Sequence, residues 1–292
     1  MMFSARARAA MLRRGGIASF TVFVRESGRD AAAARRAHRA VVREGVRLSM
    51  ALAAIVAAAA WTYSPDPLHG ALTMAGATLA AGLFAAALVW CSAITLVASP
   101  TAGGDGHPLS RFGVANALTV LRLVLIGPVV VLLARQNYPA ALVVYGLLGI
   151  TDVIDGVISR ARREQSEFGV VMDPVADIVS TYAVFTVFVV DNLVPGWLYL
   201  LLTARYAMLL AGSLGLFLAT GGIEFRATTP GKVVGVVQAA GAAVLMAGAG
   251  GVRVPPAVRE ALFAFLGLGF ASIVVSQAYL GRMHWRRARR AM

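Results

Sequence analysis

Four aspartates fall within the stretch Thr151–Ser180, TDVIDGVISRARREQSEFGVVMDPVADIVS, in a chain that carries only 14 acidic residues among 292. Asp152 and Asp155 are spaced i, i+3, and Asp173 and Asp177 are spaced i, i+4, so on two helices each pair projects from one face. Where two such helices meet, four carboxylates converge. At the edge of apolar runs this is an expensive arrangement, and ionisable groups at membrane depth mark function. A packing network with Arg122, Arg160 or Arg162 is one way to compensate the charge, but isolated pairing supplies less than four carboxylates need. A pair of divalent ions supplies more. Hard oxygen ligands with no His or Cys nearby favour Mg²⁺ or Mn²⁺ over zinc. Oxygen-ligated ions of this kind usually serve phosphate, where they neutralise charge and hold attacking and leaving oxygens in line. Gly156 and Gly169 permit close approach of a ligand or a backbone, and Arg160 can fork onto a diphosphate. Taken singly, each has a plainer reading: helix packing for the glycines, interfacial snorkelling for the arginine.

The elements that must position these residues are membrane helices. A chain that is 59% hydrophobic and 14% charged, with mean hydropathy +0.74, is an integral membrane protein rather than a soluble domain. Apolar runs of crossing length follow one another at Leu48–Tyr63, Leu68–Ala98, Ala117–Ala134, Ala140–Ile158, Val170–Val190, Val194–Thr220, Val233–Gly251 and Ala257–Leu280, about eight spans. The first is short for a full crossing, and Leu68–Ala98 and Val194–Thr220 are long enough to tilt. Glycine and alanine within the runs suit close helix packing in lipid.

The net charge of +13 does not indicate nucleic acid, because the arginine clusters flank apolar runs instead of lining one face with interleaved aromatics. An anionic lipid surface fits them better. The single cysteine, Cys91, lies inside an apolar run, so neither a disulfide framework nor a cysteine metal site is expected. The segment 1–47 is rich in Arg and Ala and reads as retained and cytoplasmic, its short apolar patch IASFTVFV being too small and too charged in its flanks for a signal peptide. Within it, Ala31–Arg47 suits either a basic helix on the membrane surface or a basic tail. With the N-terminus inside, the inner side receives Arg111, Arg160, Arg162, Arg163, Arg226, Lys232 and the tail arginines, and the outer side only Arg135, Arg253 and Arg259. The positive-inside rule then places both termini in the cytoplasm, and the four aspartates at the cytoplasmic boundary of the membrane, in bacteria the inner membrane.

The full pattern Asp152-x-x-Asp155-Gly156-x-x-Ser159-Arg160, eight residues, Gly169-x-x-x-Asp173-x-x-x-Asp177 resembles the signature of the CDP-alcohol phosphotransferase (CDP-alcohol phosphatidyltransferase) family of membrane phospholipid synthases. Ser159 stands where the family usually has Ala; both are small. Asn116-x-x-Thr119-x-x-Arg122 is similar to the family's N-x-x-T-x-x-R opening, and Gly231-Lys232 with Gln238 resembles a G-K-x-x-T-x-x-Q segment, with Gly235 where Thr is common. The resemblance implies an all-α polytopic bundle: a six-span core over 108–281, two extra spans over 48–98, the basic segment 1–47 and a basic tail over 282–292.

It also implies roles. Asp152, Asp155, Asp173 and Asp177 hold two divalent ions, with Asp177 also the general base; Asn116, Thr119, Gly156, Arg160 and Gly169 help seat the CDP donor. The implied reaction is attack of an alcohol hydroxyl on the β-phosphorus of a CDP-linked donor, CDP-diacylglycerol above all, releasing CMP. Arg122, Arg205 and Lys232 are candidates to hold a phosphorylated acceptor such as glycerol phosphate or inositol phosphate; for Arg205, a snorkelling or helix-pairing role is equally open. Asp173-Pro174 resembles the glycerophosphate and inositol-phosphate branches, whereas Ile178 occupies a position often Lys in the glycerophosphate enzymes, so the acceptor stays open. The resemblance makes a homodimer plausible. Competing classes are a transporter, a prenyl-diphosphate enzyme with its two separated D-rich boxes, and an idle scaffold. The single compact aspartate set, with no second copy elsewhere, argues against the first two, and the intactness of all four acids against the third.

Overall fold

A computed structural model describes residues 17–62, 69–91, 111–161, 167–220 and 229–290. All regular structure among them is helical: α1 (Ile17–Ala37), α2 (Arg39–Thr62), α3 (His69–Cys91), α4 (Val114–Ala134), α5 (Tyr138–Ala161), α6 (Glu167–Val190), α7 (Gly196–Thr220), α8 (Thr229–Ala249) and α9 (Pro256–Arg290). Five segments, Leu72–Cys91, Val114–Ala134, Tyr138–Ile158, Val171–Val190 and Pro256–Tyr279, are long and apolar enough to cross a membrane, and Gly196–Gly212 and Val233–Ala249 are shorter apolar helices. The chain is an integral membrane protein built as a helical bundle. Large apolar side chains such as Val143, Val153, Val190, Leu200 and Leu268 point outward, as they must where the surrounding solvent is hydrocarbon.

The basic residues 39–47 and the apolar residues from Leu48 belong to one helix. The helix break falls at His38, between α1 and α2, so Arg39, Arg43 and Arg47 share one continuous helix with the apolar residues that follow. Residues 39–62 combine strong helix formers on both sides of Leu48, and no Gly-Pro or Asn-Gly breaker separates the charged half from the apolar half. Leu68–Ala98 forms a helix from His69 to Cys91; residues 92–98 lie outside those described.

Two compact units are distinguished. The first takes Ala31–Val187 with Ala249–Gly251. In it α2 packs on α3, α3 on α4, α2 on α4, and α4 on α5. Helix α4 is its centre: 67% of its apolar span is buried, against 17–33% for the other four crossing segments. It starts at Gly113, whose φ of 83° suits glycine and whose carbonyl accepts the first helical bond from the Ala117 N–H. At Gly127 the backbone of α3 comes so near that a Cβ would lie 2.7 Å from the Ala77 carbonyl oxygen. Only a glycine admits that crossing.

The core of this unit draws on both parts of the sequence. Val42, Ala53, Ala85 and Val89 from α2 and α3 pack with Phe112, Val120, Leu123, Val124 and Ile126 of α4 and its lead-in, and with Phe168, Met172 and Ala176 of α6. Phe112 and Phe168 are both about fully buried and meet edge to face with centroids 5.6 Å apart. Glu44 of α2 accepts a 3.1 Å hydrogen bond from the Phe112 N–H, one of the amides left without a helical partner ahead of α4. The second unit is chiefly α7, α8 and α9, with α9 packed on α7 and the Trp197 ring seated on Gly267.

Candidate active site

Three helices of the first unit carry the site. On α4, Asn116, Thr119 and Arg122 recur every three residues and are all buried. On α5, Asp152 and Asp155 project one turn apart; on α6, Asp173 and Asp177 do the same. The tertiary fold turns all three sets toward each other. The guanidinium of Arg122, 2% exposed, stands in the middle. Its Nη2 donates to Asp155 Oδ2 and lies 2.7 Å from Asp152 Oδ1, while its Nη1 is 3.7 Å from Asp177 Oδ1 and 3.9 Å from Asp173 Oδ1. The convergence of four carboxylates, expected from spacing, is present, and it is centred on an arginine.

The carboxylates differ in how far they are withdrawn from water. Asp155 is the enclosed one, with 8% of its side chain exposed; Asp152, Asp173 and Asp177 keep 53%, 44% and 65%. Thr119 links α4 to α6: its hydroxyl, 3.1 Å from Asp173 Oδ1, also lies 3.2 Å from the Ala115 carbonyl, and its single proton serves those two acceptors. Asn116 donates through Nδ2 to the Phe112 carbonyl at 2.6 Å, which ties the start of α4 to its own first turn. Gly156 and Gly169 lie on α5 and α6 beside the aspartates. Arg160 lies on the last turn of α5 and Lys232 on the first turn of α8, their side chains outside those described.

Arg205 belongs to the second unit. Its Nη1 donates to Gln238 Oε1 at 3.0 Å, and its guanidinium stacks near the Tyr206 and Phe270 rings, 5.3 and 5.4 Å from their centroids. Gln238 is buried. The helix-pairing role that the sequence left open is thus realised, with a neutral partner: Gln238 satisfies a donor without cancelling the charge. Sequence reasoning noted Gln238 only as part of a resemblance. It missed Glu44 altogether, for which no local signal exists across a separation of 68 residues.

Among the described residues no three His, Cys, Asp or Glu side chains already form a coordination shell. The carboxylate oxygens are turned to the guanidinium instead. The set nonetheless fits a divalent cation by its chemistry. All its donors are hard oxygens, and one guanidinium set against four carboxylates leaves three negative charges uncompensated by any other described ion pair. Arg122 itself is under-satisfied: Nε and Nη1 are buried and have no hydrogen-bond partner, although both are obligate donors. Charge and donors alike are left over.

Residues 112–275 match the family model for CDP-alcohol phosphatidyltransferases, more than half of the chain. The chain belongs to this family. A proposed cardiolipin synthase of Mycobacterium tuberculosis is 38% identical over 122 residues, 41% of this chain and 57% of that protein. The CDP-diacylglycerol–glycerol-3-phosphate 3-phosphatidyltransferase of Aquifex aeolicus is 29% identical over 102 residues, 34% of this chain and 57% of that protein. The human cardiolipin synthase (CMP-forming) is 28% identical over 122 residues, 39% of this chain and 40% of that protein. The matched stretch therefore spans little more than half the length of these relatives at most. No solved structure matches the chain. The family match begins at residue 112, so α1, α2 and α3 lie outside it, although α2 and α3 supply part of the core around α4.

Proposed function

We propose that this protein transfers a phosphatidyl group from a CDP-linked donor, CDP-diacylglycerol, to the hydroxyl of a small alcohol, with release of CMP. The observation that carries the reading is the convergence of Asp152, Asp155, Asp173 and Asp177 from two helices on one point beside Arg122, in a chain of this family. In this reading the four aspartates hold divalent metal, Mg or Mn and two ions when full, which supplies charge neutralisation to the donor diphosphate and the departing CMP. Asp177, the most exposed of the four, takes the proton of the acceptor hydroxyl as its oxygen bonds to the β-phosphorus and the bond to CMP breaks. Gly156, Arg160 and Gly169 lie on α5 and α6 and line the donor's approach in this reading, while Asn116, buried and bonded to the Phe112 carbonyl, is read as fixing the start of α4. Thr119 is better read as orienting Asp173 than as a direct donor contact, because its hydroxyl is buried and already committed.

For the acceptor, a glycerol phosphate is supported by relatives named as glycerol-3-phosphate phosphatidyltransferases, and relatives named as cardiolipin synthases support a glycerol-bearing lipid alcohol as the second reading. Arg205 and Lys232 are the candidates, from the sequence, for holding an acceptor phosphate; among the described residues Arg205 has the neutral Gln238 as its hydrogen-bond partner and no ion pair. In this reading the active site faces the cytoplasm of a bacterial inner membrane, with both termini inside, which the distribution of arginine supports. The test is CMP release from CDP-diacylglycerol by the purified protein, run with glycerol 3-phosphate, inositol phosphate and phosphatidylglycerol in turn and with lipid products identified by mass. Metal-dependent CMP release with one of them is expected. No CMP release with any acceptor overturns the reading.

A further inference from the structure

The guanidinium of Arg122 and a divalent cation need the same carboxylate oxygens. Arg122 reaches all four aspartates within 4 Å. A charge of +1 at that distance opposes any +2 ion entering the same cluster. Arg122 is also a poor final partner for the cluster. Nη2 serves both α5 acids, while Nη1 stands at 3.7 and 3.9 Å from the α6 acids, too far for a hydrogen bond, and Nε has no partner at all. The two unserved nitrogens lie on different edges of the guanidinium, each edge shared with Nη2, so once Nη2 is freed from Asp152 and Asp155 either edge can take a phosphate oxygen pair in the bidentate manner that arginine favours.

We propose that Arg122 is the exchangeable cation of this site: it neutralises the aspartates until divalent metal is loaded, and is then released to hold a phosphate of the substrate. This rests on the metal reading above and extends it. It gives one residue two successive partners. It also makes metal loading and phosphate binding mutually reinforcing, since each withdraws from Arg122 or offers to it what the other needs. Its place on α4, the most buried helix of the unit, keeps the guanidinium within reach of both arrangements, because the stem is fixed and only the head has to turn.

The experiment is Mn²⁺ binding without nucleotide, followed by the electron paramagnetic resonance signal of free Mn²⁺, on full-length protein in phosphatidylcholine nanodiscs, which contribute no anionic lipid. Arg122→Gln is expected to bind Mn²⁺ about tenfold tighter than the wild type, or more, because a competing charge is gone. Arg122→Lys keeps a cation and is expected to stay within about threefold of the wild type. Equal or weaker binding by Arg122→Gln, with the wild type binding normally, overturns the exchange and leaves the metal reading standing. Absence of Mn²⁺ binding in both overturns the two together. A second measurement needs no folded glutamine variant: in wild-type protein labelled with ¹⁵N-arginine, the Arg122 Nε–H resonance, assigned by its loss in Arg122→Lys, is expected to shift as Mg²⁺ is added. A resonance unmoved at saturating Mg²⁺ overturns the proposal.

Discussion

Replacing the aspartates one at a time with asparagine separates a catalytic cluster from a packing network, because the four differ in burial while sharing one proposed task. Asp155 has 8% of its side chain exposed and bonds to an equally enclosed Arg122. Removing one partner of such a pair leaves the other charge buried and uncompensated, which costs about 3–5 kcal/mol; asparagine keeps one acceptor oxygen, so Asp155→Asn is expected near about 3 kcal/mol. Asp152 and Asp177 are half-exposed or more, where screening reduces an ion pair to about 0–1 kcal/mol. Stability is therefore expected to fall markedly for Asp155→Asn and hardly at all for Asp152→Asn and Asp177→Asn. Turnover per folded molecule is expected to fall on the order of a thousandfold in all three, about 4 kcal/mol of transition-state stabilisation each. The assay pairs denaturant unfolding in detergent with CMP release normalised to folded protein. In a packing network, activity tracks the folded fraction, so Asp152→Asn and Asp177→Asn keeping turnover within about threefold of wild type would refute the reasoning.

Three further outcomes follow from the same geometry. Thr119→Val removes a hydrogen bond to a half-exposed carboxylate worth about 1 kcal/mol, so the Mn²⁺ concentration for half-maximal activity should rise roughly fivefold with the KM for the CDP donor unchanged, and Thr119→Ser should restore it; a changed donor KM at unchanged metal demand would return Thr119 to the donor site. Phe112→Ala empties a fully buried ring site between α2, α4 and α6 and is expected to cost about 3–5 kcal/mol in unfolding experiments, with a loss below about 1 kcal/mol showing that the N-terminal helices do not brace the core. Arg205→Ala should raise the KM for a phosphorylated acceptor about tenfold or more and leave the donor KM alone, and an unchanged acceptor KM would leave Arg205 as a helix-pairing residue only.

The candidate site was legible in the sequence to the extent that it depends on local period. Asp152 with Asp155, and Asp173 with Asp177, had to share helix faces, and apolar runs on both sides had to be membrane helices. The recurrence Asn116, Thr119, Arg122 likewise put three polar residues on one face of α4. Less legible was the division of roles between them. Thr119 was assigned to the donor, and Arg122 to an acceptor phosphate or to charge pairing. Which carboxylates each meets depends on how α4 crosses α5 and α6, and that crossing joins residues 33 and 54 positions apart, as in Arg122 with Asp155 and Thr119 with Asp173.

The sequence by itself determined the class, an all-helical membrane protein, because hydropathy and 3.6-residue periodicity are local properties of the chain. It also determined which acids form pairs, since spacing along a helix is fixed by its geometry. Only the tertiary structure decided that the two pairs enclose one arginine, that Asp155 alone among them is withdrawn from water, and that α2 and α3, outside the family match, help build the core that holds α4. Contacts such as Glu44 with Phe112 join residues far apart in sequence, and no local pattern encodes the packing that brings them together.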